Sequence, residues 1–160
     1  LFFLSLPCAA FESQAFTGKV IGIADGDTIK VLHNHFVVSI RLKGIDCPEK
    51  RQPFGMRAKQ FASSLCFGRE VTISEGKLDK YKRLVADVIL EDGRVLNHEL
   101  VRSGFAWWYK QYSPHDEVLN RLEAEARQSK IGLWSQPHPE PPWLFRKEKK
   151  RVLLAGDAKI

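Results

Sequence analysis

Three carboxylates and two guanidiniums fall between positions 27 and 83, each beside a turn or a strand end. Asp27 lies in Asp25-Gly26-Asp27-Thr28, and Arg41 opens Arg41-Leu42-Lys43-Gly44-Ile45. Asp46 and Glu49 frame Asp46-Cys47-Pro48-Glu49, and Arg83 ends Asp79-Lys80-Tyr81-Lys82-Arg83. This set meets the needs of metal-assisted phosphodiester cleavage. Two carboxylates can hold a hard divalent cation, and a third can activate water. Two arginines can clamp a phosphate bidentately and stabilise the charge that builds on it. Read alone, Asp25-Gly26-Asp27 is an ordinary turn; the downstream groups give it chemical meaning. Oxygen donors of this kind point to Ca²⁺ or Mg²⁺. Zinc is not expected, because there is no Cys-x-x-Cys and no suitably spaced histidine pair.

The elements that must position these residues follow from periodicity. Positions 17–24 are rich in β-branched residues and read as a strand, turned by Asp25-Gly26. Thr28 to Leu32 is a second strand with Ile29 and Val31 on one face, and His33-Asn34-His35 connects it to a third, Phe36 to Leu42. Gly55 to Cys66 reads as a helix, since Ala58, Phe61, Ala62 and Leu65 share one face. Strands over Glu70–Ser74 and Leu84–Leu90 and a short helix over Val95–Ser103 come next. A last helix is expected to start at a Ser113 N-cap with Pro114 in first position, and to bury Val118, Leu119, Leu122 and Ala126. Five short strands with a helix between the third and fourth suit a small Greek-key barrel.

In order and spacing, Asp-Gly-Asp-Thr, then Arg-Leu-x-Gly-Ile-Asp-x-Pro-Glu, then Asp-Lys-Tyr-x-Arg resembles the staphylococcal nuclease family, from Phe16 to Trp134. The resemblance implies an α+β, mainly β fold: a five-stranded OB-type Greek-key barrel with three helices. It implies Ca²⁺, with Mg²⁺ the weaker alternative, held by Asp27, Asp46 and the backbone carbonyl of Cys47. Glu49 is then the residue that activates water, and Arg41 and Arg83 bind the scissile phosphate and the transition state. Tyr81 matches a tyrosine near the nucleotide phosphate, Lys80 and Lys82 are cations available to neighbouring phosphates, and Tyr109 is the expected base-contacting aromatic. Lys82 departs from the family's usual Gly. The expected activity is endonucleolytic hydrolysis of DNA and RNA, single strands preferred, leaving 3′-phosphate ends. The rival from another class is a nuclease-like module that binds nucleic acid without cutting it. A third possibility is a phosphodiester substrate outside nucleic acid.

Composition is compatible with this. The chain has 160 residues, 44% hydrophobic, with net charge +6. That is enough for one domain with a real core, and its basic balance favours polyanionic partners. No apolar run reaches the roughly 18 residues of a membrane span. The expected organisation is a partial signal peptide over 1–15, a nuclease-like barrel domain over 16–136, and a Pro-rich exit with a basic tail over 137–160. The signal reading rests on apolar Leu1 to Leu6 followed by Pro7-Cys8-Ala9-Ala10, and it predicts a secreted or periplasmic location; a monomer is the default expectation. An ordered N-terminal strand is the other reading of that segment. Cys47 and Cys66 are either bridged or two free buried thiols, because pairing needs a Cα distance.

Overall fold

The computed structural model describes residues 12–157. Its strands are β1 (Glu12–Ser13), β2 (Phe16–Asp25), β3 (Thr28–His33), β4 (Phe36–Leu42) and β5 (Ile45–Asp46), followed by β6 (Glu70–Ile73), β7 (Gly76–Leu78), β8 (Leu84–Ala86), β9 (Val88–Ile89) and β10 (Trp107–Trp108). The helices are α1 (Gly55–Cys66), α2 (Leu96–Arg102), α3 (Glu117–Gln128) and α4 (Pro142–Asp157), with a 3₁₀ turn at Gly132–Ser135.

Eight strands form one sheet in the order β1-β7-β8-β4-β3-β2-β6-β9. β8 and β9 are separated in sequence by Asp87 alone, yet β8 pairs with β4 and β9 with β6. A single residue can join them only if the sheet curls until its two sides meet. The strand expected over Leu84–Leu90 is therefore split at Asp87 and closes the barrel. Together with β2, β3, β4 and β6 it makes the five strands of the expected OB-type barrel. β1, β5, β7 and β10 are short additions.

β2 serves two neighbours: Phe16–Lys19 pair with β6, and Lys19–Asp25 with β3, with register shifts after Val20 and Ile23. Such bulges bend a strand and raise its twist, which is what a small barrel needs. Inside lie Val20, Ile29, Val31, Ile40, Ile73 and Ala86, all fully buried. α1 closes one end of the barrel with the small buried residues Ala58 and Ala62, while Phe61 and Leu65 pack at the edge of the core. α2 and α3 stack beside it through Leu96, Leu100, Leu119 and Leu122.

Two expectations for α3 change. Its N-cap is Asp116, whose Oδ1 accepts the Leu119 N–H at 2.9 Å. Ser113 lies three residues before that cap, and its carbonyl accepts the Trp108 indole N–H at 2.9 Å and the Asp116 N–H at 3.3 Å. The buried stripe is Leu119, Leu122, Glu123 and Ala126, an i, i+3, i+4, i+7 set, so Val118 falls off the face and is exposed. Cys47 and Cys66 are free and buried, and Cys66 Sγ donates to the Ala62 carbonyl at 3.1 Å. At the start of the chain, Glu12–Ser13 pair with Gly76–Lys77; the rest of the expected signal segment up to residue 11 lies outside the described residues. Beyond residue 137, where a Pro-rich exit and a basic tail are expected, the segment from Pro142 forms the 16-residue α4.

Candidate active site

Asp27 sits at the sharp turn from β2 to β3. Gly26 allows that turn, because a Cβ there would lie 2.9 Å from Cys47 Sγ and 2.9 Å from Ala58 Cβ. The Asp27 carboxylate is buried. Its Oδ2 accepts the Cys47 backbone N–H at 2.8 Å, and its Oδ1 accepts the Thr28 hydroxyl at 3.2 Å. These bonds tie the first hairpin to the loop after β5. Arg41 lies opposite Thr28 in the β3–β4 ladder. Its Nη2 reaches Asp27 Oδ2 at 3.2 Å and Asp46 Oδ1 at 3.0 Å, so two carboxylates converge on one guanidinium nitrogen.

Asp46 is held from the opposite direction. β5 pairs with β10, placing Asp46 across from Trp107 and Ile45 across from Trp108. β10 is in turn tied to α3, because buried Glu123 accepts the Trp108 N–H at 3.2 Å. Burial pushes the Asp46 carboxyl above its ordinary range, with Asp27 adding to the rise, while hydrogen bonding from Arg146 and the charges of Arg41 and Arg146 oppose it. Asp25, at the rim, is raised by burial and by the charges of Asp27 and Glu49. Burial pushes the Cys47 thiol well above its usual value, with Asp27 adding. A neutral thiol is a poor ligand for a hard cation, and the buried donors here are carboxylate oxygens. Among the described residues, no three His, Cys, Asp or Glu side chains form a ready-made metal cage. Asp27 and Asp46 are the pair that could share a cation, with backbone or water oxygens completing the shell.

Glu49 stands on the loop leading to α1. Gln52 fixes that loop: its Oε1 accepts the Glu49 N–H at 3.1 Å, and the Gln52 N–H donates to the Glu49 carbonyl at 2.8 Å. Gly55 is required where α1 begins, since a Cβ would collide with the Glu49 carbonyl oxygen. The Glu49 side chain is 40% exposed and faces the cleft.

Arg83 comes from the β7–β8 loop, which is built around Asp79. Asp79 Oδ1 accepts the N–H groups of Tyr81 (2.8 Å) and Arg83 (3.0 Å), and Oδ2 accepts the Arg83 side chain at Nε (2.8 Å) and Nη2 (2.7 Å). Lys82 has φ +62°, the left-handed region that favours glycine. A glycine would adopt this φ without strain, so Lys82 carries a backbone conformation that suits the Gly expected there. Tyr81 is exposed, with Lys80 Nζ 5.1 Å and Arg83 Cζ 5.2 Å from its ring centre.

All the predicted site residues (Asp27, Arg41, Asp46, Cys47, Glu49, Lys80, Tyr81, Arg83 and Tyr109) line one cleft of about 1040 Å³. Tyr109 enters with one face covered: Trp143 stacks on it at 5.1 Å and 21°. Trp107 and Trp108 are buried core residues. The cleft also holds a residue that sequence reasoning missed. Arg146 of α4 reaches Asp46 Oδ2 and Glu49 Oε1, both at 2.7 Å. The signal available was Pro142 in first helical position, followed by an aromatic and an arginine one turn apart. Asp79 was inside a quoted motif, but its ordering role needed the folded loop to be seen.

With this geometry in hand, comparison with known proteins is decisive for the family. A family model described as staphylococcal nuclease homologue matches residues 39–136. The chain belongs to the staphylococcal nuclease family. It is 42% identical over 149 residues to an Escherichia coli protein named uncharacterized endonuclease, covering 93% of this chain and 95% of that one. It is 39% identical over 146 residues to a Shigella flexneri protein named micrococcal nuclease, covering 86% and 84%. A Haemophilus influenzae protein, also named uncharacterized endonuclease, is 36% identical over 143 residues, covering 89% and 79%. The matched segment takes in Arg41, Asp46, Glu49 and Arg83, while Asp27 precedes it and Arg146 follows it.

Proposed function

We propose that this chain is a Ca²⁺-dependent endonuclease that hydrolyses phosphodiester bonds of DNA and RNA, preferring single strands. The observation that carries this reading is the convergence of Asp27 Oδ2 and Asp46 Oδ1 on Arg41 Nη2, at 3.2 and 3.0 Å, in the cleft that Glu49 and Arg83 also line. Both carboxylates are buried and already share one cationic partner, so their oxygens suit a hard cation. Asp27, Asp46 and the Cys47 carbonyl would hold it, and it would supply charge neutralisation at a phosphate oxygen. Glu49 accepts the proton of the attacking water. Arg41 and Arg83 donate to the non-bridging oxygens as phosphorus becomes five-coordinate. The 5′-oxygen leaves, giving a 3′-phosphate. Tyr81 and Lys80 flank the scissile nucleotide, and the free face of Tyr109 takes a base, a contact tolerant of sequence. The basic net charge supports the choice of a polyanion.

A secreted or periplasmic location accords with the apolar start and the Pro7-Cys8-Ala9-Ala10 segment. Among the described residues, no helix is long and apolar enough to cross a membrane.

The test is digestion of a single-stranded oligonucleotide by the full chain with Ca²⁺, with Mg²⁺ and with chelator, beside Glu49→Gln. Ca²⁺-dependent cutting to 3′-phosphate ends, slowed about 10²-fold or more in the variant, is expected. Binding without cutting in every metal would identify a nuclease-like binding module instead.

A further inference from the structure

The segment 140–146 is strapped to the site at three successive points. Gln52 Nε2, from the loop that holds Glu49, donates to the Glu140 carbonyl at 2.5 Å. Trp143 stacks on Tyr109 and meets Trp107 edge-on at 5.6 Å. One helical turn later, Arg146 places Nη2 on Asp46 Oδ2 at 2.7 Å and Nη1 between Glu49 Oε1 at 2.7 Å and Asp46 Oδ1 at 3.3 Å. Trp143 and Arg146 are three apart, the spacing of side chains on one helix face. The strap thus aims a guanidinium at the carboxylates rather than trailing a basic end across them.

The contact competes with full use of Asp46 by a divalent ion. Asp46 is 2% exposed at its side chain, and both of its oxygens already receive guanidinium N–H groups, from Arg41 and from Arg146. Arg41 bridges the carboxylate pair and belongs to the barrel wall. Arg146 comes from α4, outside the barrel, and is 44% exposed, so its side chain can leave Asp46 without disturbing a strand. A dication at Asp27 and Asp46 meets Arg146 as a like charge a few ångströms away, beside a carboxylate that is itself buried.

We propose that Arg146 is a built-in competitor for the divalent cation, a strap-borne guanidinium that occupies Asp46 and Glu49 and raises the cation concentration needed to load the site. The inference rests on the cation site proposed above. Loading frees Arg146 from Asp46 and Glu49 together, so Glu49 gains its freedom to accept a proton only when the cation arrives. Cation binding and base activation become one event.

The experiment is calorimetric titration of the full chain with Ca²⁺, in the absence of nucleic acid. It compares the natural chain with Arg146→Gln, Trp143→Ala, Asp46→Asn and the off-site control Lys149→Gln. Arg146→Gln should bind Ca²⁺ at least tenfold more tightly, and Trp143→Ala, which keeps the charge but loosens the strap, should shift in the same direction by less. Lys149→Gln, which removes the same charge from the exposed part of α4, should change affinity less than threefold. Equal affinity in the natural chain and Arg146→Gln, abolished by Asp46→Asn, would overturn the competition and leave the cation site standing. Weaker binding in Arg146→Gln would also overturn it, assigning Arg146 to alignment of the carboxylates. No binding by any variant would overturn the competition and the calcium site together.

Discussion

The loop that carries Arg83 makes a quantitative prediction. Asp79 accepts four hydrogen bonds, two from backbone N–H groups and two from the Arg83 side chain, at 2.7 to 3.0 Å. Asp79→Ala removes all four. The loop is solvent-accessible, so water replaces the lost partners and the global cost is small, about 1 kcal/mol. The catalytic cost is larger. If Arg83 clamps the scissile phosphate, removing it costs about 10²–10³ in rate. Releasing it from Asp79 leaves the charge but not its placement, and misplacement by an ångström costs up to about 10²-fold. Asp79→Ala should therefore lower kcat on a single-stranded oligonucleotide by about 10- to 100-fold, with KM changed much less. In the Arg83→Ala background the same change should do almost nothing, because the two residues act as one unit. Steady-state kinetics of the four proteins with Ca²⁺ decide the matter. Additive effects, or kcat within twofold of the natural chain, would sink the positioning argument. A rise in kcat would mean that the ion pair withholds Arg83 from substrate.

Other outcomes follow from burial and hydrogen bonding elsewhere. Burial tends to raise the Asp79 carboxyl, but hydrogen bonds from Arg83 and Tyr81 outweigh it and hold it below its ordinary value. Its contribution to loop order is therefore complete above the unfolded value of about 4 and lost as pH falls through the folded one. The amide resonances of Tyr81 and Arg83 should stay constant down to about pH 5 and move only below about 4; a midpoint above that contradicts the reading. Asn97 is fully buried, accepts the Val88 N–H at 3.1 Å, and donates to the Lys43 carbonyl at 3.0 Å and to Asp87 Oδ1 at 3.0 Å. Asn97→Ala strands three polar groups beside the barrel closure and should cost about 2–4 kcal/mol in chemical denaturation; a loss below 1 kcal/mol on that scale would show that water replaces the amide. Burial raises the Cys66 thiol to about 12 and the Cys47 thiol well above its usual value. In a Cys8→Ser background at pH 8, neither should react with a disulfide reagent within minutes, and both should react in denaturant. Prompt labelling of the native chain would refute the burial.

Legibility followed the range of the forces involved. α1 was readable to its ends, and β4 likewise, because side-chain periodicity and turn residues are local properties. Asp27, Arg41, Asp46, Glu49 and Arg83 were readable as a set through their motifs, and the barrel brings them to one cleft. β5 and β10 were not readable: two residues are too few to show a period, and their pairing depends on α3 holding Trp108. The split at Asp87 was equally hidden, since an apolar run does not say which neighbour each half will choose. Arg146 was lost among Lys147, Lys149, Lys150 and Arg151, a run whose composition describes a solvated end as well as a docked one. The docking of Trp143 on Tyr109 and of Arg146 on Asp46 and Glu49 separates the two.

The pairing of Asp46 with Trp107 also sets a schedule. A nascent chain acquires Asp27, Arg41 and Asp46 early, and the β2–β3–β4 hairpins can form as soon as they emerge, because their contacts are local. The backbone of Asp46 has no partner until β10 is made, and β10 is held in turn by Glu123 of α3. The carboxylate pair is thus half-built for most of the chain's synthesis and completes only when the last third has arrived. A nuclease assembled this way gains its reactive geometry at the end of its own manufacture, and a prematurely terminated copy carries the motifs without the site.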